Sequence, residues 1–91
     1  MAHLVVPGSW HNVTSGRVRS DLAAGNLREL LDAFVREHPD AGYRLTSPSG
    51  DLLRYHIFFV DGEQVGRTTP PDQVPLAPGS TVEIVPPLSG G

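Results

Sequence analysis

The sequence predicts an α+β domain in which one amphipathic helix lies across a small mixed sheet. Three observations carry this reading. Leu27, Leu30, Leu31, Phe34 and Val35 fall at i, i+3, i+4, i+7 and i+8, a single apolar stripe at helical period. Short β-prone runs with apolar residues at every second position stand on both sides of that stripe. Between two such runs, Asp61-Gly62 is a two-residue hairpin signal, because both central positions of a type I′ turn need positive φ. At 91 residues the chain has material for one core.

Each element follows in order. His3–Val6 is a strand with Leu4 and Val6 on one face, ended by Pro7-Gly8. The stretch from there to Gly16 reads as a long turn that carries Trp10. Arg17–Leu22 alternates again, with Val18 and Leu22 expected inward and Arg17, Arg19 and Asp21 outward, so the two runs make a hairpin. Asn26 caps the helix, Glu29 completes a capping box, and Asp32 with Arg36 forms a supporting pair on the wet face. Pro39 ends the helix by pushing its predecessor out of the α region.

Asp40–Leu53 reads as irregular, with a turn at Ser47-Pro48-Ser49-Gly50. Arg54–Val60 is the strongest strand, with Tyr55, Ile57 and Phe59 on one face and His56, Phe58 and Val60 on the other. Phe58 and Val60 suit the inward register. Glu63–Val65 returns as a short strand, and Pro70, Pro71, Pro75 and Pro78 hold the next segment in turns. Thr81–Val85 is the last strand, with Val82 and Ile84 inward. Hairpin, helix, hairpin and final strand, joined by a right-handed crossover, give the β-grasp (ubiquitin-like) arrangement of four to five strands around one main helix, an order of elements that other α+β folds of this length also fit. Residues 1–87 form that domain and 88–91 a flexible tail ending in Gly-Gly.

Composition narrows the function classes. With no Cys, the chain has no disulfide, no zinc–thiolate site and no Cys nucleophile. Seven basic residues against ten acidic ones give little attraction for nucleic acid. All seven are Arg, so no side-chain amine is present to accept an acyl group. No apolar run approaches the ~20 residues of a membrane span, and the N-terminus lacks a secretion signal, so a cytoplasmic protein without membrane partners is expected. His3, His11, His38 and His56 are scattered without metal-ligand spacing; His3 and His56 would meet only on adjacent strands. Asp61 and Glu63 flank a turn and read as solvated. No resident metal or cofactor and no catalytic residue is expected.

Two features point to partners. A strand apolar on both faces leaves one face to be covered by the Pro-rich loops or the Trp10 turn, or to serve as a docking patch through Phe59. The chain also ends Pro86-Pro87-Leu88-Ser89-Gly90-Gly91. Two prolines favour an extended exit, and glycines without Cβ can thread a narrow channel toward a nucleotide. A carboxylate presented this way can attack the α-phosphate of ATP.

The segment Leu76–Gly91, with Gly79, the alternating Val82 and Ile84, the two prolines and the final diglycine, resembles the C-terminus of the ubiquitin-like sulfur carriers of the MoaD/ThiS family. Phe58-Phe59-Val60-Asp61-Gly62 is similar to that family's apolar strand ending in Val-Asn-Gly, and Arg44–Arg54 is more like the longer carriers of cysteine or secondary-metabolite sulfur chemistry. Ser80, Asp61 and Leu88-Ser89 depart from the family pattern. The resemblance implies a covalent carrier and not an enzyme. An E1-like adenylyltransferase would use ATP and Mg²⁺ to adenylate Gly91, and a sulfur donor would convert it to a thiocarboxylate for a sulfur-accepting synthase in cysteine, thiamin or thio-metabolite biosynthesis. Gly91 would carry the sulfur; Gly90, Ser89 and Leu88 would form the tail; Phe59, Ile57 and Tyr55 would help docking. The chain already finishes at its diglycine, so no processing is expected. Alternatives within the resemblance are a protein modifier forming isopeptide bonds and the small subunit of molybdopterin synthase; outside it stands a noncatalytic interaction domain.

Overall fold

A computed structural model describes residues 1–49, 56–66 and 68–86. The strands are β1 (Ala2–Val5), β2 (Arg19–Leu22), β3 (Ile57–Val60), β4 (Glu63–Gln64) and β5 (Thr81–Val85). They form one five-stranded sheet in the order β2-β1-β5-β3-β4. β1 and β5 are parallel and every other neighbouring pair is antiparallel. The N-terminal hairpin and the last strand therefore meet at the centre of the sheet, as expected for a β-grasp fold.

The helices are α1 (His11–Thr14), α2 (Leu27–Glu37) and α3 (Gly42–Leu45). α2 begins as its sequence dictates: the Asn26 side chain accepts from the Glu29 N–H at 2.8 Å. The second arm of the box lands one residue early, because the Glu29 carboxylate accepts from the Gly25 N–H at 2.7 Å. Gly25 and Asn26 are drawn onto the Val74–Leu76 segment by Leu27 N–H to Val74 O (2.9 Å) and Leu76 N–H to Gly25 O (3.0 Å). Asp32 and Arg36 are both exposed, and among the described residues no ion pair joins them. Leu27, Leu30, Leu31 and Phe34 are buried in a single core with Ala2, Leu4, Val6, Leu22, Phe58, Val82 and Ile84.

Three local readings need correction. The Pro7–Gly16 stretch is not a plain turn: a 3-10 turn (Gly8–Trp10) runs into α1 and ends with Ser15 at φ 57° and Gly16 at φ 87°. That winding carries Trp10 into the core, with its ring centroid 6.4 Å from that of Phe34. Val18 is 50% exposed, because β2 begins only at Arg19 and Val18 serves through its carbonyl, which accepts from the Val6 N–H at 2.9 Å. Asp40–Leu45 is helical rather than irregular: a 3-10 turn (Pro39–Ala41) leads into α3, burying Ala41 and Leu45 one turn apart. Pro48 and Ser49 lie in a turn, as expected, and residues 50–53 with Arg54 lie outside the described residues.

The β3–β4 turn has Asp61 at φ 50° and Gly62 at φ 87°, the positive pair that a type I′ hairpin demands. The entry to β5 is set by Pro78 followed by Gly79 at φ 86°, and the Ser80 hydroxyl accepts from the Ala77 N–H at 3.0 Å. Ser80 thus supplies the short acceptor side chain that an Asp would supply at the same place. Among the described residues no helix is long and apolar enough to cross a membrane.

Candidate functional site

The candidate site is the open face of the sheet together with the end of β5. α1, α2, α3 and the 3-10 turns at Gly8–Trp10 and Pro39–Ala41 each place a residue in or against the one core, on the side of Leu4, Leu22, Phe58, Val82 and Ile84. Strand alternation sends the intervening residues to the other side. Cross-strand register lines them up: Arg19, Val5, Glu83, Phe59 and Gln64 form a row across all five strands. A second row holds Asp21, His3 and Thr81, and Val85 pairs with Ile57 nearest the C-terminal end of β5. Val5, Ile57, Phe59 and Val85 are each partly buried, so the centre of this face is an apolar stripe broken by the exposed Glu83 of β5.

Both covers considered for that face lie on the opposite side. Trp10 sits against Phe34 of α2, and its ring meets His56 edge-on at 5.2 Å between centroids. The 3-10 turn Pro71–Gln73 packs against α2 as well. Among the described residues, the stripe therefore has no lid.

Besides the exposed Glu83 of the central strand, the described charge on this face gathers on the β2–β1 flank. The Asp21 carboxylate accepts from His3 Nδ1 at 2.6 Å and from Arg19 Nε at 3.4 Å. Those bonds, the His3 bond foremost, hold the Asp21 carboxyl below its ordinary range. His3 is engaged there and does not meet His56, because β5 separates β1 from β3. Asp61 is exposed but not merely solvated: its carboxylate accepts from the Thr81 N–H at 2.9 Å, tying the hairpin turn to the root of β5.

On the helix side a second polar group escaped sequence reading. The Arg44 guanidinium carbon lies 5.7 Å from the Trp10 ring centroid and 5.4 Å from that of Tyr43. His56, on the far edge of Trp10, is held below the ordinary imidazole range, first by burial and then by the Arg44 charge. The signal was faint in sequence: α3 is one helical turn, too short to show a period.

β5 delivers the chain's C-terminal residues from the middle of the sheet. It is flanked by β1 and β3 on either side, and the exposed Pro86 follows its last residue, Val85. Of the residues expected to act, the structure brings Ile57 and Phe59 onto the open face beside that exit. Gly91, Gly90, Ser89, Leu88 and Tyr55 lie outside the described residues. Among the described residues, no group of three or more His, Asp or Glu side chains is placed to hold a metal ion.

The ThiS family model matches residues 6–91, from the end of β1 through the final glycine. No curated protein matches the sequence. Solved structures share its fold over almost all of its length. A chain of the BexX/CysO complex from Amycolatopsis orientalis superposes with a TM-score of 0.85 at 22% identity, covering 100% of both chains. CysO of Mycobacterium tuberculosis gives 0.82 at 22% identity, covering 97% of this chain and 100% of that one. The small archaeal modifier protein SAMP1 of Haloferax volcanii gives 0.77 at 25% identity, covering 99% and 98%.

Proposed function

Because the chain belongs to the ThiS family, we propose that it is a covalent sulfur carrier, a substrate of partner enzymes rather than an enzyme. Its Gly91 carboxylate is adenylated by an E1-like enzyme with ATP and Mg²⁺. The terminal sulfur of a persulfide donor then attacks the acyl carbon and displaces AMP, a thiol reductant cleaves the S–S bond of the acyl disulfide so formed, and the resulting thiocarboxylate gives its sulfur to a biosynthetic acceptor held by a synthase. The observation that supports this most is positional. The strand leading to Gly-Gly is the central one of the sheet, and the family match runs through its last residue.

In this reading the body has two duties. The strand pairs on both sides of β5 fix the strand that leads to the terminal residues as far as Val85. The open stripe of Val5, Ile57, Phe59 and Val85 lies beside that exit and offers apolar area to the adenylating enzyme, with the Arg19–Asp21–His3 group as a polar rim. Gly90 and Gly91, lacking Cβ, suit passage through a narrow channel to the nucleotide.

The test is an incubation with an E1-like enzyme, ATP, Mg²⁺, a persulfide donor and a thiol reductant, read by intact mass. The chain should gain one sulfur in place of one oxygen at Gly91, and a chain truncated after Gly90 should stay unchanged while remaining folded. Sulfur gain by the truncated chain would sink the assignment. The likeness to a small archaeal modifier protein supports a second reading, in which the same adenylate is passed to amines of target proteins. Isopeptide adducts in cell extract, in place of a thiocarboxylate monomer, would favour it.

A further inference from the structure

Both routes generate an activated acyl group at Gly91, and the chemistry of the chain's own surface decides where that group can go. At neutral pH such an acyl group is captured lastingly by amines, whereas thiols and the imidazoles of the four histidines give adducts that exchange or hydrolyse. Every side-chain cation of this sequence is an arginine, seven in all, and neither lysine nor cysteine occurs in it. A guanidinium keeps its proton about two pH units or more beyond an ammonium, so its nucleophilic neutral fraction is lower by at least about a hundredfold. Among the described residues, Arg17, Arg19 and Arg36 are exposed, the positions where lysines would meet an incoming acyl group.

A chain of this sequence has one primary amine, the α-amino group of Met1, a residue 69% exposed. The Met1 carbonyl accepts from the Gly79 N–H at 2.8 Å, which holds Met1 beside the entry to β5. Pro86 lies at the other end of the same strand. β1 and β5 run parallel, so the amine and the root of the terminal segment stand at opposite ends of the sheet.

We propose that the folded body is inert through its side chains toward its own activated end. The acyl group is then consumed by a nucleophile that another molecule brings, and a target receives one copy per acceptor amine without side-chain branching. The proposal rests on Gly91 being the acylated residue. The chemistry balances: a Gly91 carboxylate oxygen attacks the α-phosphorus of ATP and pyrophosphate leaves. An acceptor amine then attacks the acyl carbon, the bond to AMP oxygen breaks with its electron pair, and the amine proton passes to solvent.

The full chain carrying a chemically prepared thioester at Gly91 tests this with no partner enzyme, so its outcome is separate from that of the adenylation assay. Wild type and the Arg17→Lys and Arg36→Lys variants are incubated at mildly alkaline pH, and cross-links are mapped by peptide mass spectrometry. Circular dichroism establishes that the variants are folded. Wild type should end as the hydrolysed carboxylate, with any linked product confined to Gly91 joined to the Met1 amine. The lysine variants should form Gly91–lysine cross-links at the introduced position, at least about a hundredfold above any product at the arginine. Side-chain-linked wild-type multimers, or folded lysine variants without lysine-linked product, would overturn the proposal.

Discussion

Phe58 and Phe59 are neighbours of the same chemical type with opposite assignments. Phe58 is 3% exposed beneath the helical layer. Phe59 stands on the other face, partly buried, with Glu83 and Gln64 as its cross-strand partners. Hydrophobicity does not separate them; strand parity does. The side of the sheet that receives α2, Trp10 and Leu45 becomes the core. The other side keeps comparable apolar groups available to a partner. On the function proposed above, contributions to folding and to docking are thus divided along a single strand.

The sharpest way to break that division is to truncate both aromatics. Phe58→Ala should cost about 3–5 kcal/mol of unfolding free energy, measured by urea denaturation, because it empties a packed site. Phe59→Ala should cost about 1 kcal/mol or less, yet weaken binding to the adenylating enzyme at least about tenfold, measured by calorimetry. Equal stability losses for the two would mean that the open face is not open.

Next in size is the anchor of the covering layer. Asn26→Ala removes the acceptor for the Glu29 N–H and should cost about 1 kcal/mol, with Asn26→Asp nearly neutral, by the same denaturation measurement. The smallest effect is acid-dependent and belongs to the helix side. His56 has its folded-state pKa lowered, so just below the ordinary imidazole value the unfolded chain binds a proton there that the folded chain does not. The contribution is complete above that value and is lost as pH falls toward the folded pKa. Urea midpoints followed by fluorescence of Trp10, the single tryptophan, should fall as pH is lowered from about 7 through the ordinary imidazole range, and His56→Gln should flatten the decline.

The contrast between faces also shows what the sequence makes legible. The α2 stripe, the Asp61-Gly62 turn and the alternation of Val82 and Ile84 each repeat a period or occupy a special φ, and all three appear in the structure. Elements of one turn do not repeat. Ala41 and Leu45 share a face of a segment too short to announce itself, and Trp10 is buried by a 3-10 turn that its Gly, Pro and Ser neighbours disguise. Val18 misleads for the converse reason, since alternation was carried one residue past the start of the strand. The Arg44–Trp10–His56 group assembles residues from three separate elements, which local patterns do not link.

The placement of β5 has a mechanical consequence. A partner that draws the C-terminal residues into a channel pulls on a strand bonded along both edges, to β1 on one side and β3 on the other. A tug along that axis loads these bonds together in shear instead of peeling them one at a time. The domain can therefore be hauled by its end and keep its shape.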